Sequence, residues 1–161
     1  MSNDVRATII DTHNPTTRSA SIVIDAPAQA IFDVIARPAQ HARFDGSGTL
    51  VGATVGPDRV KLGDRFGMNM RIKLPYRITN EVVEFDEGRA IAWRHFGGHR
   101  WRYELEPIDA STTKVIETFD GGTARLQLTL KLMNAYENNE KAIAKTLVRL
   151  KQLMESGSAG S

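Results

Sequence analysis

Residues 81–120 read EVVEFDEGRAIAWRHFGGHRWRYELEPIDASTTKVIETFD, and the alternation inside them decides the fold class. Ile91, Trp93 and His95 are set against Arg94, while Trp101, Tyr103 and Leu105 are set against Arg100, Arg102, Glu104 and Glu106. A period of two over such short runs marks a strand with one face buried and the other in water. Asp86-Glu87-Gly88 and Gly97-Gly98 separate the runs with turn chemistry. An antiparallel meander is therefore expected.

Working outward, strands are predicted over 49–55, 64–72, 76–85, 89–96, 100–107 and 113–119, with an earlier strand over 19–25. After that first strand, Ala26-Pro27 begins a helix to about Ala36, with Ile31, Phe32 and Ile35 on one face. Pro38 interrupts it, and a second short helical stretch runs to Phe44. At the other end, Leu132, Met133, Tyr136, Ile143, Leu147, Leu150 and Met154 recur at three- and four-residue steps, which predicts one long amphipathic helix. The organisation expected is a partly flexible extension over 1–18, one α+β domain over 19–155 and a disordered small-residue tail over 156–161.

Composition bounds the function. The 161 residues are 41% hydrophobic and 25% charged, ordinary values for one globular domain. Twenty-one Lys and Arg against 19 Asp and Glu leave a net charge of only +2, and the arginines of the strands alternate with apolar residues, so no nucleic-acid partner is expected. Cysteine is absent, which removes disulfides, thiolate nucleophiles and Cys-based zinc sites. No two of the four histidines have the spacing of a metal site, and no metal is predicted. GxGxxG, Walker and GxSxG motifs are absent, so no cofactor is expected. No stretch approaches the roughly 18 apolar residues of a membrane span, and a cytoplasmic location is the expectation.

The order strand, two helices, six strands, long helix, together with SIVIDAPAQAIFDVIARPAQHARFD (21–45), EVVEFDEGRAIAWRHF (81–96) and RYELEPIDASTTKVIETFD (102–120), resembles the SRPBCC or START-like superfamily, in particular its polyketide cyclase/dehydrase and lipid transport branch. The resemblance covers about residues 19–155. It implies a helix-grip fold, in which a curved seven-stranded antiparallel sheet wraps the long C-terminal helix around a ligand cavity. The motifs are turns and core positions, and no shared catalytic signature comes with them.

Hairpin register assigns the faces, because residues opposite each other in an antiparallel pair share one face. A type I turn closed by Gly88 would pair Phe85 with Arg89 and Glu81 with Trp93. At the next hairpin a two-residue Gly97-Gly98 turn would split Trp93 and Trp101 between faces. An odd loop such as Gly97-Gly98-His99 would instead pair Trp93 with Tyr103 and His95 with Trp101, and the alternation favours it. Pairing Leu105 with Val115 then sets Tyr103 beside Glu117 and Trp101 beside Phe119. Two inner rows follow: Glu81, Trp93, Tyr103, Glu117, and Thr79, His95, Trp101, Phe119. Phe66, Met68 and Met70 face inward from an earlier strand, and Tyr136 approaches from the helix. This apolar wall with few polar points suits a hydrophobic small molecule.

The chemistry stays open between two readings at each polar point. Glu117 either accepts a hydrogen bond from Tyr103 as a satisfied buried carboxylate or, with a raised pKa, serves as a general acid. His95 is either structural or a proton-transfer group, and Glu81 is a separate polar point about three strands from Glu117. Three functions remain: a binder or carrier of an aromatic, polyketide-like or lipid-like molecule, a cyclase/dehydrase-type enzyme testing Glu117, Tyr103 and His95, and a protein-interaction module using the outer face at Arg100 and Arg102. The chain is expected as a monomer or homodimer.

Overall fold

The alternation at 81–120 forms the centre of an antiparallel sheet in the computed structural model, which describes residues 5–53, 55–125 and 127–156. In chain order the elements are β1 (Thr8–Ile10), β2 (Thr17–Ile24), α1 (Ala28–Ile35), a 3-10 turn (Pro38–Gln40), α2 (His41–Phe44), β3 (Leu50–Ala53), β4 (Arg65–Ile72), β5 (Leu74–Asp86), β6 (Ala90–His95), β7 (Arg100–Asp109), β8 (Thr112–Asp120), α3 (Gln127–Leu132) and α4 (Ala135–Glu155). The strand order is β1-β2-β8-β7-β6-β5-β4-β3. Because β2 pairs with β8, the meander is joined back to the start of the chain, and α4 lies across its concave face in the helix-grip arrangement.

Helix α4 is held by a narrow apolar stripe. Tyr136, Ile143, Leu147 and Leu150 are buried at three-, four- and seven-residue steps, so one side of the helix fills the sheet's hollow. Its other side stays charged. Helix α1 buries Ile31, Phe32, Val34 and Ile35 at one end of the sheet, where the Phe32 ring meets Phe85 edge-on at 5.4 Å. The loop after α2 is fastened to α4: Gly46 N donates to Thr146 Oγ1 at 2.9 Å, and the Arg149 guanidinium donates to the Asp45 carbonyl.

Four expectations are corrected. The sheet has eight strands, not seven, because residues 8–10 of the extension pair with Ser19–Ser21 as an edge strand. The final helix does not begin at Leu132: α3 ends there, Asn134 takes a left-handed conformation (φ 53°), and α4 starts at Ala135. Two apolar residues in succession hid that break, and the Leu132 side chain lies outside the described residues. The predicted tail is also shifted, since Ser156 caps α4 with its N–H on the Gln152 carbonyl, and residues 157–161 lie outside the described residues, as does residue 54 of the predicted 49–55 strand.

The fourth correction moves two registers. The turn after β5 is Glu87-Gly88-Arg89, with Asp86 opposite Ala90, and a bulge at Val83 then makes Val82, not Glu81, the partner of Trp93. The β6–β7 loop has the odd length expected but starts one residue earlier, at Phe96-Gly97-Gly98, with Gly98 at φ 96° where a side chain would be strained. Trp93 therefore faces Trp101 and Ile91 faces Tyr103. The β7–β8 register is the one read from the sequence: Trp101 with Phe119, Tyr103 with Glu117, Leu105 with Val115.

Candidate functional site: a buried Tyr-Glu pair in an aromatic hollow

The three registers set the inner wall in rows. One row is Val82, Trp93, Trp101, Phe119, and the next, toward α1, is Ile91, Tyr103, Glu117. On the loop side of Trp93, His95 stands opposite Asn80 and bonds across to His99. From β4, Phe66 and Met68 are buried and Met70 is half-buried on the same face. Tyr136 reaches the wall from α4, its ring 5.7 Å from Phe119 and its hydroxyl donating to Gln127 Oε1 at 3.0 Å.

Glu81 and Thr79 are not part of this wall. The bulge turns Glu81 outward to pair with Arg94 (3.2 Å), and Thr79 is exposed opposite Gly67. On that outer face Arg102 is also engaged, by Glu84 at 2.7 Å and Glu104 at 2.8 Å. His95 keeps the concave side but is displaced from Trp101: its ring stacks on His99 (4.5 Å, 16°), and Nδ1 accepts from Gly97 N at 3.3 Å.

The polar centre is Glu117. Its side chain is 3% exposed, and Tyr103 donates to Oε1 at 2.9 Å. Oε2 is buried with no hydrogen-bond partner among the described residues. Burial pushes the Glu117 pKa up to about 8; the Tyr103 hydrogen bond opposes that and the charge on Asp45 adds to it. The carboxyl is thus protonated at neutral pH and holds one O–H to give. Burial, and then the nearby carboxyl, push the Tyr103 phenol well above its ordinary value, so it remains a donor. A buried polar atom left unpaired costs about 1–3 kcal/mol, which a ligand atom bonded to Oε2 would return.

Sequence reasoning missed two residues here. His41 is fully buried and lies stacked against Trp93 (5.1 Å, 23°), edge-on to Phe66 and Phe44. A carbonyl only accepts, so its Nε2 carries the hydrogen donated to Ile35 O at 2.7 Å. Burial lowers its pKa to about 4. Pro38, His41 and Phe44 are buried at three-residue steps, a stripe that the sequence carried in plain view. The other is Asp45, which closes α2 and whose charge is felt by both Tyr103 and Glu117.

The rings touch one another through this hollow: His41, Trp93 and Tyr103 in series, with Phe66 against Trp93 at 5.6 Å. Two grooves open at its margins. One, of about 480 Å³, is lined by Arg18, Lys131, Asn134, Tyr136, Glu137 and Glu140, and Glu140 there meets Arg18 at 3.4 Å. The other, of about 590 Å³, runs along β4 and β5 past Met70, Pro75 and Tyr76. Among the described residues, no helix is long and apolar enough to cross a membrane.

The uncharacterized protein Rv0088 of Mycobacterium tuberculosis is 34% identical over 157 residues, covering 94% of this chain and 70% of its own. Among solved structures, a protein from Arthrobacter aurescens superposes with a TM-score of 0.69 at 14% identity, over 90% of this chain and 91% of that one. The di-domain ARO/CYC BexL from the BE-7585A biosynthetic pathway gives 0.63 at 20% identity, over 86% of this chain and 46% of that one. At such identities the structural likeness speaks to the fold alone. The sequence over residues 15–155, nearly the whole chain, matches the family described as polyketide cyclase / dehydrase and lipid transport, and the chain belongs to that family.

Proposed function

We infer that the chain binds a hydrophobic small molecule, aromatic, polyketide-like or lipid-like, between the concave face of the sheet and α4. The observation that carries this reading is Glu117: a buried carboxyl, one oxygen held by Tyr103 and the other unpaired among the described residues, set in a wall of Trp93, Trp101, Phe119, Phe66, Met68 and Tyr136. Small-molecule sites combine an apolar wall with a few polar groups that fix orientation. A ligand carbonyl or hydroxyl would accept from Glu117 while its apolar body displaces ring contacts around Trp93 and Met70. Methionine thioethers and a short α2 with one turn of helix are the parts that can yield. The reading carries with it the cytoplasmic location and the ligand class expected from the sequence.

A second reading uses the same group as a general acid. A carboxyl that titrates near 8 is protonated at the pH where it would act, the condition for giving its proton to a carbonyl or a leaving hydroxyl. In a cyclase/dehydrase-type reaction, the hollow would hold a reactive chain in one conformation, Glu117 would move the proton, Tyr103 would hold Glu117 and His95 would stand toward the β6–β7 loop. The interaction-module reading at Arg100 and Arg102 has less support, because Arg102 is already held by Glu84 and Glu104 and Arg100 is half-buried.

The test is native mass spectrometry of the purified chain, followed by thermal shift against fatty acids, flavonoids, sterols and aromatic polyketides. A retained or stabilising compound whose effect weakens in Trp93→Ala supports binding. Turnover of that compound, lost in Glu117→Gln with affinity kept, selects the enzyme. If no compound binds or stabilises, both readings fail.

A further inference from the structure

Beyond Asn80 and Met70 the β4–β5 hairpin leaves the rest of the sheet. Strand β5 meets β6 only from Asn80 onward, and beyond Met70 opposite Leu50 the β3 side adds one bond, from Arg71 N to the Thr49 carbonyl at 2.7 Å. Residues 71–77, RIKLPYR, are all exposed, with Lys73 at the apex in a left-handed conformation (φ 61°). The ribbon has two unlike faces. Register puts Met70, Ile72, Leu74 and Tyr76 on the face that continues the core, and Arg65, Asn69, Arg71, Pro75 and Arg77 on the other.

The apolar face is uncovered at its outer end: Ile72 is 55% exposed, Leu74 75% and Tyr76 41%. The charges are one-signed. From Arg65 to Asn80 there are four cations and no carboxylate, in a chain whose whole net charge is +2. Arg71, Lys73 and Arg77 form no ion pair among the described residues, whereas on the adjoining outer face Arg94 and Arg102 are paired. Cations and a proline alone would be ordinary protection of a bare strand edge. Two large aliphatic side chains and a tyrosine at the same tip work against that protection, since they add apolar surface to it.

We propose that this hairpin docks the protein on an anionic lipid surface, with Ile72 and Leu74 entering the interface, Tyr76 at headgroup depth and Arg71, Lys73 and Arg77 on the phosphates. An apolar tip ringed by cations supplies the two signals, burial and charge, that reversible membrane attachment needs. The groove beside Met70 and Tyr76 opens at the same place. The docking surface does not depend on Glu117 or on any ligand.

The experiment is sedimentation of the full chain with phosphatidylcholine vesicles, with and without phosphatidylglycerol. Binding is expected with phosphatidylglycerol and not without it, and it weakens with added salt. Each cation near an anionic leaflet contributes about fivefold, so the neutralised R71Q/K73Q/R77Q should lose on the order of a hundredfold. I72S/L74S should lose about tenfold or more. All five residues are exposed, so both variants should unfold at the wild-type midpoint, which separates lost docking from lost fold. Failure to bind phosphatidylglycerol vesicles overturns the proposal. So does full binding by I72S/L74S, which would mark a purely electrostatic attraction of the kind nucleic acid gives. Self-association through the tip, abolished in I72S/L74S and without vesicle binding, would overturn it in favour of a second copy of the chain.

Discussion

Tyr103 and Glu117 stand directly opposite each other on β7 and β8, and the phenol holds one carboxyl oxygen at 2.9 Å while the other is buried without a partner among the described residues. The pairing is a consequence of register alone: an antiparallel partner on the same face lies within reach of a tyrosine's length. What gives it chemical weight is depth, because a carboxyl this deep keeps its proton to about pH 8.

Replacing Glu117 with Gln should change how stability depends on pH. From about pH 4.5 to 8 the unfolded chain releases the Glu117 proton and the folded chain retains it, so the wild type loses stability as pH rises through that window. The amide has no proton to lose. Relative to wild type, Glu117→Gln should therefore gain by several kcal/mol between those limits, read by urea unfolding across the window. Parallel curves for the two proteins would rule out a buried neutral acid.

Tyr103→Phe removes the one interaction that favours the Glu117 carboxylate. The carboxyl should then titrate above the wild-type value, visible by NMR of the side-chain carbon, and the fold should lose about 1–2 kcal/mol for the missing hydrogen bond. A titration that moved down would mean that the phenol is not bonded as described.

His41 works in the opposite direction on the pH axis. The folded chain keeps it neutral to about pH 4, while the unfolded chain protonates it near 6.5, so stability falls as pH drops through that interval. His41→Phe should be less stable near neutrality by about 1 kcal/mol, because the Ile35 carbonyl loses its donor. The gap should close as pH falls and reverse before pH 4, because the wild type alone loses stability through that interval. Trp93 fluorescence gives a local readout, since the imidazole is stacked on the indole, and a gap constant with pH would disprove the assignment.

Gly121 meets the Tyr136 ring so closely that a methyl group there would sit 2.8 Å from Cε1. Gly121→Ala should displace the ring, weaken its bond to Gln127 and cost about 1–3 kcal/mol, measured as a drop in the denaturation midpoint. An unchanged midpoint would mean that the start of α4 shifts freely.

The parts of this molecule that were legible in the sequence are those where one period persists. Strand β7 alternates without interruption from Trp101 to Leu105, and pairing its Leu105 with Val115 sets the β8 register and hence the Tyr103–Glu117 pair. Strand β5 does not alternate so cleanly, because Val82 and Val83 are apolar in succession and the bulge at Val83 cannot be seen by counting alternate residues. That one insertion sent Glu81 and Thr79 outward. His41 escaped for another reason: a histidine in a short helical connection reads as polar, and only its three-residue step to Pro38 and Phe44 showed which way it turned. The aromatic contacts across the hollow depend on which rotamers the rings choose, and no one-dimensional pattern encodes that.

The Val83 bulge also divides β5 by parity. Before it, even-numbered residues face the core, as Ile78, Asn80 and Val82 do; after it the odd-numbered Phe85 turns inward, and the even-numbered Glu84 meets Arg102 outside. Removing that single residue would put both halves in one phase. Val82 would still face the rings and Glu81 the arginines, with no residue left over between Val82 and Glu84. A substitution scan along β5 should accordingly show tolerance alternating with one beat up to position 82 and with the opposite beat from position 84, a signature that marks a hinge of phase in any relative that shares it.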